Sequence, residues 1–207
     1  MPKQTFFNLP QDKQETLIDS AVKEFSRVPL NEASISNIVK QAGIARGSFY
    51  QYFEDKDDLF FFILEKYAKK NEERFISLLK ENDGDLFDSF KGMFRGMLTD
   101  FQNKDYGMFI KNAFLNMNHK VENTIAKNVN MEDAKCRQIE HHDLINRDKL
   151  NIADEHELFH VVRIILAITF QNLIQNFALE LSFEESLQNY TIEIDMIKKG
   201  LYREQQS

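Results

Sequence analysis

The sequence predicts an all-α protein, with an N-terminal three-helix helix-turn-helix domain followed by a larger helical effector and dimerisation domain, about nine helices in total. Apolar residues recur every three to four positions, which is the spacing of one face of an α-helix. After residue 59 no strand-like alternation of apolar and polar residues occurs. All three prolines lie before residue 30, so nothing beyond them interrupts long helices.

The first predicted helix covers residues 10–25. Its apolar residues fall on one stripe, formed by Leu17, Ile18, Ala21, Val22 and Phe25. Such a stripe would cover the inner face of the two short helices that follow, which together make a three-helix domain.

Two short helices joined by a glycine turn are predicted next. Ser34 can cap the first of them by accepting a hydrogen bond from a free backbone N–H group. Gly43 supplies the left-handed conformation that ends this helix and turns the chain. The second helix covers residues 45–52, with Phe49 and Phe53 four positions apart and directed inward. This is the layout of a helix-turn-helix that places its second helix in the major groove of DNA.

The outward face of this second helix suits DNA recognition. Arginine can bond bidentately to guanine and glutamine to adenine, so Arg46 and Gln51 are the predicted base contacts. Gly47 has no side chain and would let the helix approach the groove floor. Hydroxyl and ammonium groups can bond phosphates, which position a protein without reading sequence. The predicted phosphate and groove-edge contacts are Ser34, Ser36, Ser48, Tyr50, Tyr52 and Lys56.

The next helix begins with its own capping signal. Asp55 can cap it, and Asp58 stands three residues later in a capping-box position. Lys56 lies at the start of this helix, where a cation is unfavourable to the helix dipole. A phosphate contact would account for a cation at that position.

Residues 38–59 resemble the N-terminal domain of TetR-family transcriptional regulators. The family pattern is Ile-Ala-x-x-Ala-Gly-Val-Ser-x-Gly-Thr/Ser-Phe/Leu-Tyr-x-Tyr/His-Phe, followed by an acidic residue, Lys and Leu. The matching residues are Ile38, Ala42, Gly43, Ile44, Gly47, Ser48, Phe49, Tyr50, Tyr52, Phe53, Lys56 and Leu59. At two positions the sequence departs from the pattern: Val39 replaces Ala, and Ala45 replaces the Ser or Thr that caps the recognition helix. The second departure removes about 1 kcal/mol of capping.

The resemblance implies a homodimeric DNA-binding regulator, most simply a repressor that a small effector releases from a near-palindromic operator. Residues 1–53 would form the DNA-binding domain and residues 54–207 the ligand-binding and dimerisation domain. The whole chain has a net charge of −7, but residues 1–53 hold six basic and five acidic side chains. DNA affinity needs only a local basic surface, and a dimer would present two such N-terminal domains at once. We call residues 1–53 the DNA-binding head.

The remaining sequence predicts six further helices. Five cover residues 57–80, 85–102, 106–118, 154–181 and 183–203, and a long exposed helix is predicted over residues 121–150. The last two helices carry more apolar surface than one neighbour can cover, which predicts a four-helix bundle with a symmetry mate. The alternative is that they complete the core of their own subunit.

Phenylalanine is abundant between residues 60 and 114, where methionines accompany it. The resemblance implies a small-molecule cavity among the helices of this region, and the Phe and Met content indicates an apolar effector. The alternative is ordinary core packing. The predicted effector-binding residues are Phe90, Phe94, Met97, Phe109 and Phe114.

A competing hypothesis comes from residues 156–160, which spell His-Glu-x-x-His on a predicted helix. In zinc metallopeptidases the two histidines bind zinc and the glutamate acts as general base, and Glu180 would be offered as third ligand. The rival functions are therefore a zinc-dependent hydrolase or a metal-sensing regulator that uses His156 and His160. The sequence lacks the substrate-binding strands of such peptidases, so we expect no enzyme, no catalytic residue, no bound metal and no cofactor. A third class, a helical protein-interaction bundle, would show no salt-dependent DNA binding.

Composition predicts the compartment. Cys136 is the single cysteine, so no internal disulfide can form. The first 14 residues lack the apolar core of a signal peptide, and no run of 18 apolar residues indicates a membrane span. We therefore expect a cytoplasmic protein that does not bind membranes.

Overall fold

A computed structural model describes residues 1–115 and 142–201, and these ranges contain nine α-helices and no β-strand. The all-α prediction is confirmed. The helices are α1 (Gln4–Phe7), α2 (Gln11–Arg27), α3 (Ile35–Ala42), α4 (Arg46–Tyr52), α5 (Lys56–Glu81), α6 (Leu86–Phe101), α7 (Lys104–Leu115), α8 (Glu155–Leu179) and α9 (Phe183–Leu201).

Two parts of the helix prediction need correction. The four-residue helix α1 was not predicted, because it is too short to show a helical period. The long helix predicted over residues 121–150 lies largely outside the described residues. Its described end is not α-helical: it contains two short 3₁₀ turns, His142–Leu144 and Arg147–Lys149.

A close contact with Gly84 accounts for the structure of residues 142–150. The N–H of Asn146 donates to the carbonyl oxygen of Gly84 at 3.0 Å, and Ile145 and Leu150 of the same segment are buried. Gly84 has a φ of +72°, and a Cβ there would lie 2.6 Å from the Asn146 nitrogen. Glycine adopts this conformation without steric cost, and the absence of a Cβ is what allows this close approach.

Contacts divide the described chain into two compact units. The first comprises residues 1–69 and 100–115, and the second comprises residues 70–99 and 142–201. The core of the first unit is aromatic: the ring of Phe25 lies 5.1 Å from that of Phe60 and 6.2 Å from that of Phe109. Residues 1–53, which contain helices α1 to α4, lie within this unit, while the domain boundary at residue 53 stays a prediction.

In the second unit, α8 and α9 pack against each other through buried polar pairs as well as apolar side chains. Thr169 and Tyr190 share a hydrogen bond of 2.7 Å between their hydroxyls, and the ring of Tyr190 stacks on Phe94 at 4.0 Å. The amide of Asn172 donates to Glu193 at 2.6 Å. Burial raises the pKa of Tyr190 well above its ordinary value, which keeps the hydroxyl neutral.

Helices α8 and α9 carry four large apolar side chains that are exposed. The exposed fractions are 50 % for Ile164, 65 % for Leu179, 51 % for Ile192 and 67 % for Met196. Within the described ranges α8 is the one helix long and apolar enough to cross a membrane, judged by length and composition alone. The buried polar pairs with α9 are typical of a helix packed in protein rather than in lipid.

Candidate nucleic-acid interface

Helices α3 and α4 form the helix-turn-helix that the sequence predicts. Gly43 ends α3 with a φ of +66°, and the N–H groups of Gly43 and Ile44 both donate to the carbonyl of Val39. Ile38 and Phe49, on the facing sides of the two helices, are fully buried. The turn chemistry and the apolar spacing together fix the angle at which α4 leaves the turn.

The outward face of α4 carries four exposed residues, Arg46, Gly47, Tyr50 and Gln51. A Cβ on Gly47 would meet no atom within 4 Å, so the free protein itself does not require glycine at this position. Close approach to another molecule would account for it, as the sequence predicts for a groove floor.

Three of the predicted DNA contacts are joined by hydrogen bonds. The guanidinium of Arg46 donates to the hydroxyl of Ser36 on α3 at 2.9 Å, and to the hydroxyl of Tyr50 one turn further along α4 at 3.5 Å. These neutral partners hold the guanidinium in place without cancelling its charge. The arrangement presents a preoriented cation on an exposed surface.

Ser34 does not cap α3 as the sequence predicts. It occupies the N-cap position, but its side chain makes no capping hydrogen bond. The carboxylate of Glu24, on α2, accepts hydrogen bonds instead from the Ser34 N–H at 2.9 Å and from the amide of Asn37 at 3.0 Å. The guanidinium of Arg27 adds two more at 2.8 and 3.0 Å.

The environment of Glu24 keeps this carboxylate ionised. Its side chain is 0 % exposed, and burial by itself raises the pKa of the group. The hydrogen bonds from Arg27, Ser34 and Asn37 outweigh burial, so the pKa lies below the ordinary value of 4.5. Glu24 cannot be recognised from the sequence, because only its partners in other segments distinguish it from a surface glutamate.

Lys56 has partners within the protein. Its ammonium group donates to the carbonyl oxygens of Asn31 at 2.8 Å and Ala33 at 2.9 Å, in the loop before α3. The predicted capping of α5 is confirmed, since the Asp58 N–H donates to Asp55 at 2.8 Å. Asp58 in turn accepts from the Glu54 N–H at 3.2 Å. Lys56 thus stabilises the loop, and its phosphate contact stays a prediction.

Two other predicted contacts are half-buried. Ser48 lies in the first turn of α4, where its N–H donates to the Ala45 carbonyl at 3.0 Å. The ring of Tyr52 lies 6.5 Å from that of Phe6 on α1. Residues of this N-terminal segment also hydrogen-bond to the end of α4, a feature that the sequence motif did not reveal.

The predicted effector residues fall in different units of the chain. Phe90, Phe94 and Met97 lie on α6 in the second unit, and the first two are buried. Phe109 and Phe114 lie on α7 in the first unit. Phe109 packs in the aromatic core of that unit.

The His-Glu-x-x-His segment forms the start of α8. The imidazole Nε2 atoms of His156 and His160 lie 3.4 Å apart. Glu157, however, serves as a capping residue: its N–H donates to Asp154 at 2.9 Å and its carboxylate accepts from the Ala153 N–H at 2.6 Å. In the described residues no group of three side chains could hold a metal ion.

The proposed third ligand is out of reach. Glu180 is the C-cap of α8, at the opposite end of a 25-residue helix. Twenty residues of helix place it about 30 Å from His160 along the axis. Within the described residues the peptidase hypothesis therefore has no third ligand, and its proposed base, Glu157, is engaged in capping.

Comparison with known proteins gives matches along most of the chain. Residues 17–62 match the family model "Bacterial regulatory proteins, tetR family", and residues 85–201 match "Tetracyclin repressor-like, C-terminal domain". YvdT, an HTH-type transcriptional regulator of Bacillus subtilis, is 46 % identical over 59 residues, which is 28 % of each protein. The fatty acid metabolism regulator protein of Bacillus subtilis is 34 % identical over 70 residues, or 34 % of each. The matched segments thus span about a third or less of these relatives.

The fold is shared over nearly the whole chain. The crystal structure of the transcriptional regulator FadR from Bacillus subtilis, in complex with stearoyl-CoA, aligns with a TM-score of 0.62. The alignment covers 87 % of this chain and 96 % of FadR at 14 % sequence identity. At that identity the similarity establishes the fold alone.

Proposed function

Because the chain belongs to the TetR family of bacterial transcriptional regulators, we propose that it binds operator DNA as a homodimer and represses transcription until a small apolar effector releases it. The observation that carries the DNA-binding part is the exposed face of α4. There Arg46 is held by Ser36 and Tyr50 beside Gly47 and Gln51. An oriented guanidinium and an amide at this spacing suit the edges of guanine and adenine.

The division of labour follows the predicted domains. Residues 1–53 bind DNA, and residues 54–207 bind the effector and form the dimer. Two heads would occupy half-sites of a near-palindrome in successive major grooves. Among the predicted phosphate contacts, Ser34, Ser48, Tyr52 and Lys56 lie within this head or at its edge, and they would fix its register on the duplex.

The DNA-binding proposal is tested with Arg46→Ala. We would measure fluorescence anisotropy of labelled intergenic DNA beside the protein's own gene, at two salt concentrations. Loss of a bidentate contact with guanine costs about 1–3 kcal/mol and relaxes preference at one base pair. Arg95→Ala, which removes an exposed arginine of α6, is the matched control. An unchanged site preference in Arg46→Ala would refute the assignment of this base contact.

Homodimerisation is supported by the exposed apolar side chains of α8 and α9. A half-exposed Ile192 and a two-thirds-exposed Met196 are unusual on one surface of a monomer. Burial against the same helices of a second copy would remove them from water. Ile192→Glu with Met196→Glu should convert the dimer to a monomer in size-exclusion chromatography with light scattering. Leu115→Glu is the matched control, and a monomeric wild-type protein would contradict the proposal.

The effector is proposed to be apolar, because the second unit buries Phe90 and Phe94 and carries Met97 beside them. To release DNA, the effector must bind the non-binding conformation more tightly, since equal affinity for both conformations shifts nothing. The fold shared with FadR makes stearoyl-CoA a reasonable first probe, with coenzyme A as control. A long-chain acyl group should raise the melting temperature and weaken DNA binding. No change in either across a series of lipophilic compounds would count against an apolar effector.

A role in binding rather than catalysis is part of the proposal. The capping bond of Glu157, the residue that would be the general base of a zinc hydrolase, supports this part of the proposal. A DNA-binding regulator acts in the cytoplasm, and we place the protein there.

A further inference from the structure

We propose that residues 3–6 form the C-terminal cap of the recognition helix α4, and that Lys3 and Thr5 are positioning residues for its DNA-reading face. The inference rests on the proposed DNA-binding function and adds residues that lie outside the family motif. The observations behind it are hydrogen bonds between the N-terminal segment and α4, which lie more than forty positions apart in the chain.

The C-terminal end of α4 lacks the usual cap. The last four carbonyl groups of any helix have no partner within the helix, and a following glycine in the left-handed conformation commonly satisfies them. Here Phe53 follows α4 in an extended conformation, with φ −130° and ψ 151°. Its N–H donates to the Phe49 carbonyl at 2.9 Å, which satisfies one of the four groups.

Residues 3 and 5 supply donors to the other three carbonyls. The backbone N–H of Lys3 donates to the carbonyl of Tyr52 at 2.8 Å. The ammonium group of Lys3 donates to the carbonyl of Tyr50 at 2.7 Å, and the hydroxyl of Thr5 donates to the carbonyl of Gln51. A cation at this end also interacts favourably with the helix dipole.

A buried aromatic side chain anchors the cap. Phe6 is 0 % exposed, and its ring lies 5.0 Å from that of Phe53 and 5.5 Å from that of Phe62 on α5. Through Phe6, the two capping residues are therefore attached to the core of the DNA-binding domain. This attachment fixes their positions, so that their hydrogen bonds restrain the end of α4.

The cap bears on DNA recognition because α4 is short. A helix of seven residues is not stable by itself and takes its position from its contacts. Thr5 bonds the carbonyl of Gln51, the same residue whose amide is proposed to read a base. Recognition requires placement within about 0.5 Å. Loss of this bond would therefore move the base contact while leaving every DNA-contacting side chain present.

The test uses full-length protein and a fluorescein-labelled duplex that the wild-type protein selects from random-sequence DNA. Thr5→Val keeps the shape of the side chain and removes its hydroxyl, and Lys3→Met removes the ammonium group. Lys13→Met, on an exposed position of α2, is the matched control for loss of one positive charge. Anisotropy titrations at several salt concentrations give both the affinity and its salt dependence.

We expect Thr5→Val and Lys3→Met each to weaken operator binding on the order of tenfold, because each subunit of the dimer loses a hydrogen bond. Their discrimination between the selected duplex and one altered at the Gln51 base pair should fall. The slope of log affinity against log salt should stay at the wild-type value, since positioning releases no counterions. Thr5→Ser and Lys3→Arg, which keep the donors, should bind as the wild type does.

Each of the other possible outcomes would refute either the proposed function, the cap or the positioning role of Lys3. A wild-type protein without salt-sensitive binding to any duplex would refute the proposed function before the variants are compared. If the wild type binds and Thr5→Val equals it, the cap has no role in recognition. A Lys3→Met slope lower by about one would identify Lys3 as a direct phosphate contact rather than a positioning residue. Circular dichroism checks folding, and if Thr5→Val is unfolded, weak binding by a folded Thr5→Ser still overturns the proposal.

Discussion

Glu24→Gln is the substitution that most directly tests how the DNA-binding head is held together. The glutamine keeps the shape of the side chain and one acceptor oxygen, but it removes the charge. In the wild-type head, one carboxylate oxygen of Glu24 accepts from the Ser34 N–H, the Asn37 amide and Arg27, and the other accepts from Arg27 alone. The variant can keep the bonds to Ser34 and Asn37, but its NH₂ group would face the guanidinium.

The size of the effect follows from these partners. A hydrogen bond to a charged group contributes about 1.5–3 kcal/mol and a neutral one about 0.5–1.5 kcal/mol, so each bond from Ser34 and Asn37 weakens by about 1 kcal/mol. Arg27 is 56 % exposed and can turn to water, so its lost ion pair adds little to this cost. The free energy of unfolding should therefore fall by about 2 kcal/mol. For a chain of this size the melting temperature should fall by about 4–8 °C.

The assay is urea unfolding of the wild type and the variant at several pH values. Because the pKa of Glu24 is lower in the folded protein than its ordinary value of 4.5, the carboxylate contributes its full stabilisation above that value. The contribution is lost as the pH falls through the folded pKa. The stability difference between the two proteins should be constant near neutral pH and should shrink below about pH 4.5.

Glu65→Gln, at an exposed position of α5, is the matched control and should leave stability unchanged. Equal stability of wild type and Glu24→Gln at neutral pH would refute the reasoning. A difference that widens on acidification would also refute it, because it would require a raised pKa in the folded state.

Three other predictions concern single positions. Ala45→Ser restores a capping hydroxyl at the start of α4, where φ −69° and ψ 145° already suit an N-cap; it should stabilise the protein by about 1 kcal/mol in urea unfolding, and no gain would contradict the capping argument. Tyr190→Phe should cost about 1 kcal/mol by the same measurement, because Thr169 keeps its bond to the Ile165 carbonyl at 2.8 Å; a cost of several kcal/mol would mean that the hydroxyl does more. Protein purified without chelators should contain no stoichiometric zinc by elemental analysis, and bound zinc would revive the metal-sensing hypothesis. The variant His160→Gln should bind operator DNA as the wild type does.

Local signals in the sequence were sufficient for most helices of the described chain. Residues 35–42 and 46–52 could be assigned because the glycine turn, the apolar spacing and the pattern of the motif agree there. The capping pair Asp55 and Asp58 is equally local, since its partners lie three or four residues apart. Helix α1 could not be predicted because four residues show no helical period. The prediction of an α-helix up to residue 150 was wrong because the fold of that end depends on its contact with Gly84.

Of the candidate site, the sequence determined which side chains α4 presents, because the helical period places Gly47 and Gln51 opposite the inward Phe49, and Arg46 lies in the first turn. Tertiary structure alone decided how that face is held. Glu24 accepts from the Ser34 N–H, Lys56 binds a loop 23 to 25 positions away, and Lys3 closes the end of α4 from 47 positions away. A periodic pattern records which way a side chain points from its own helix. It contains nothing about partners that only folding brings within hydrogen-bond distance.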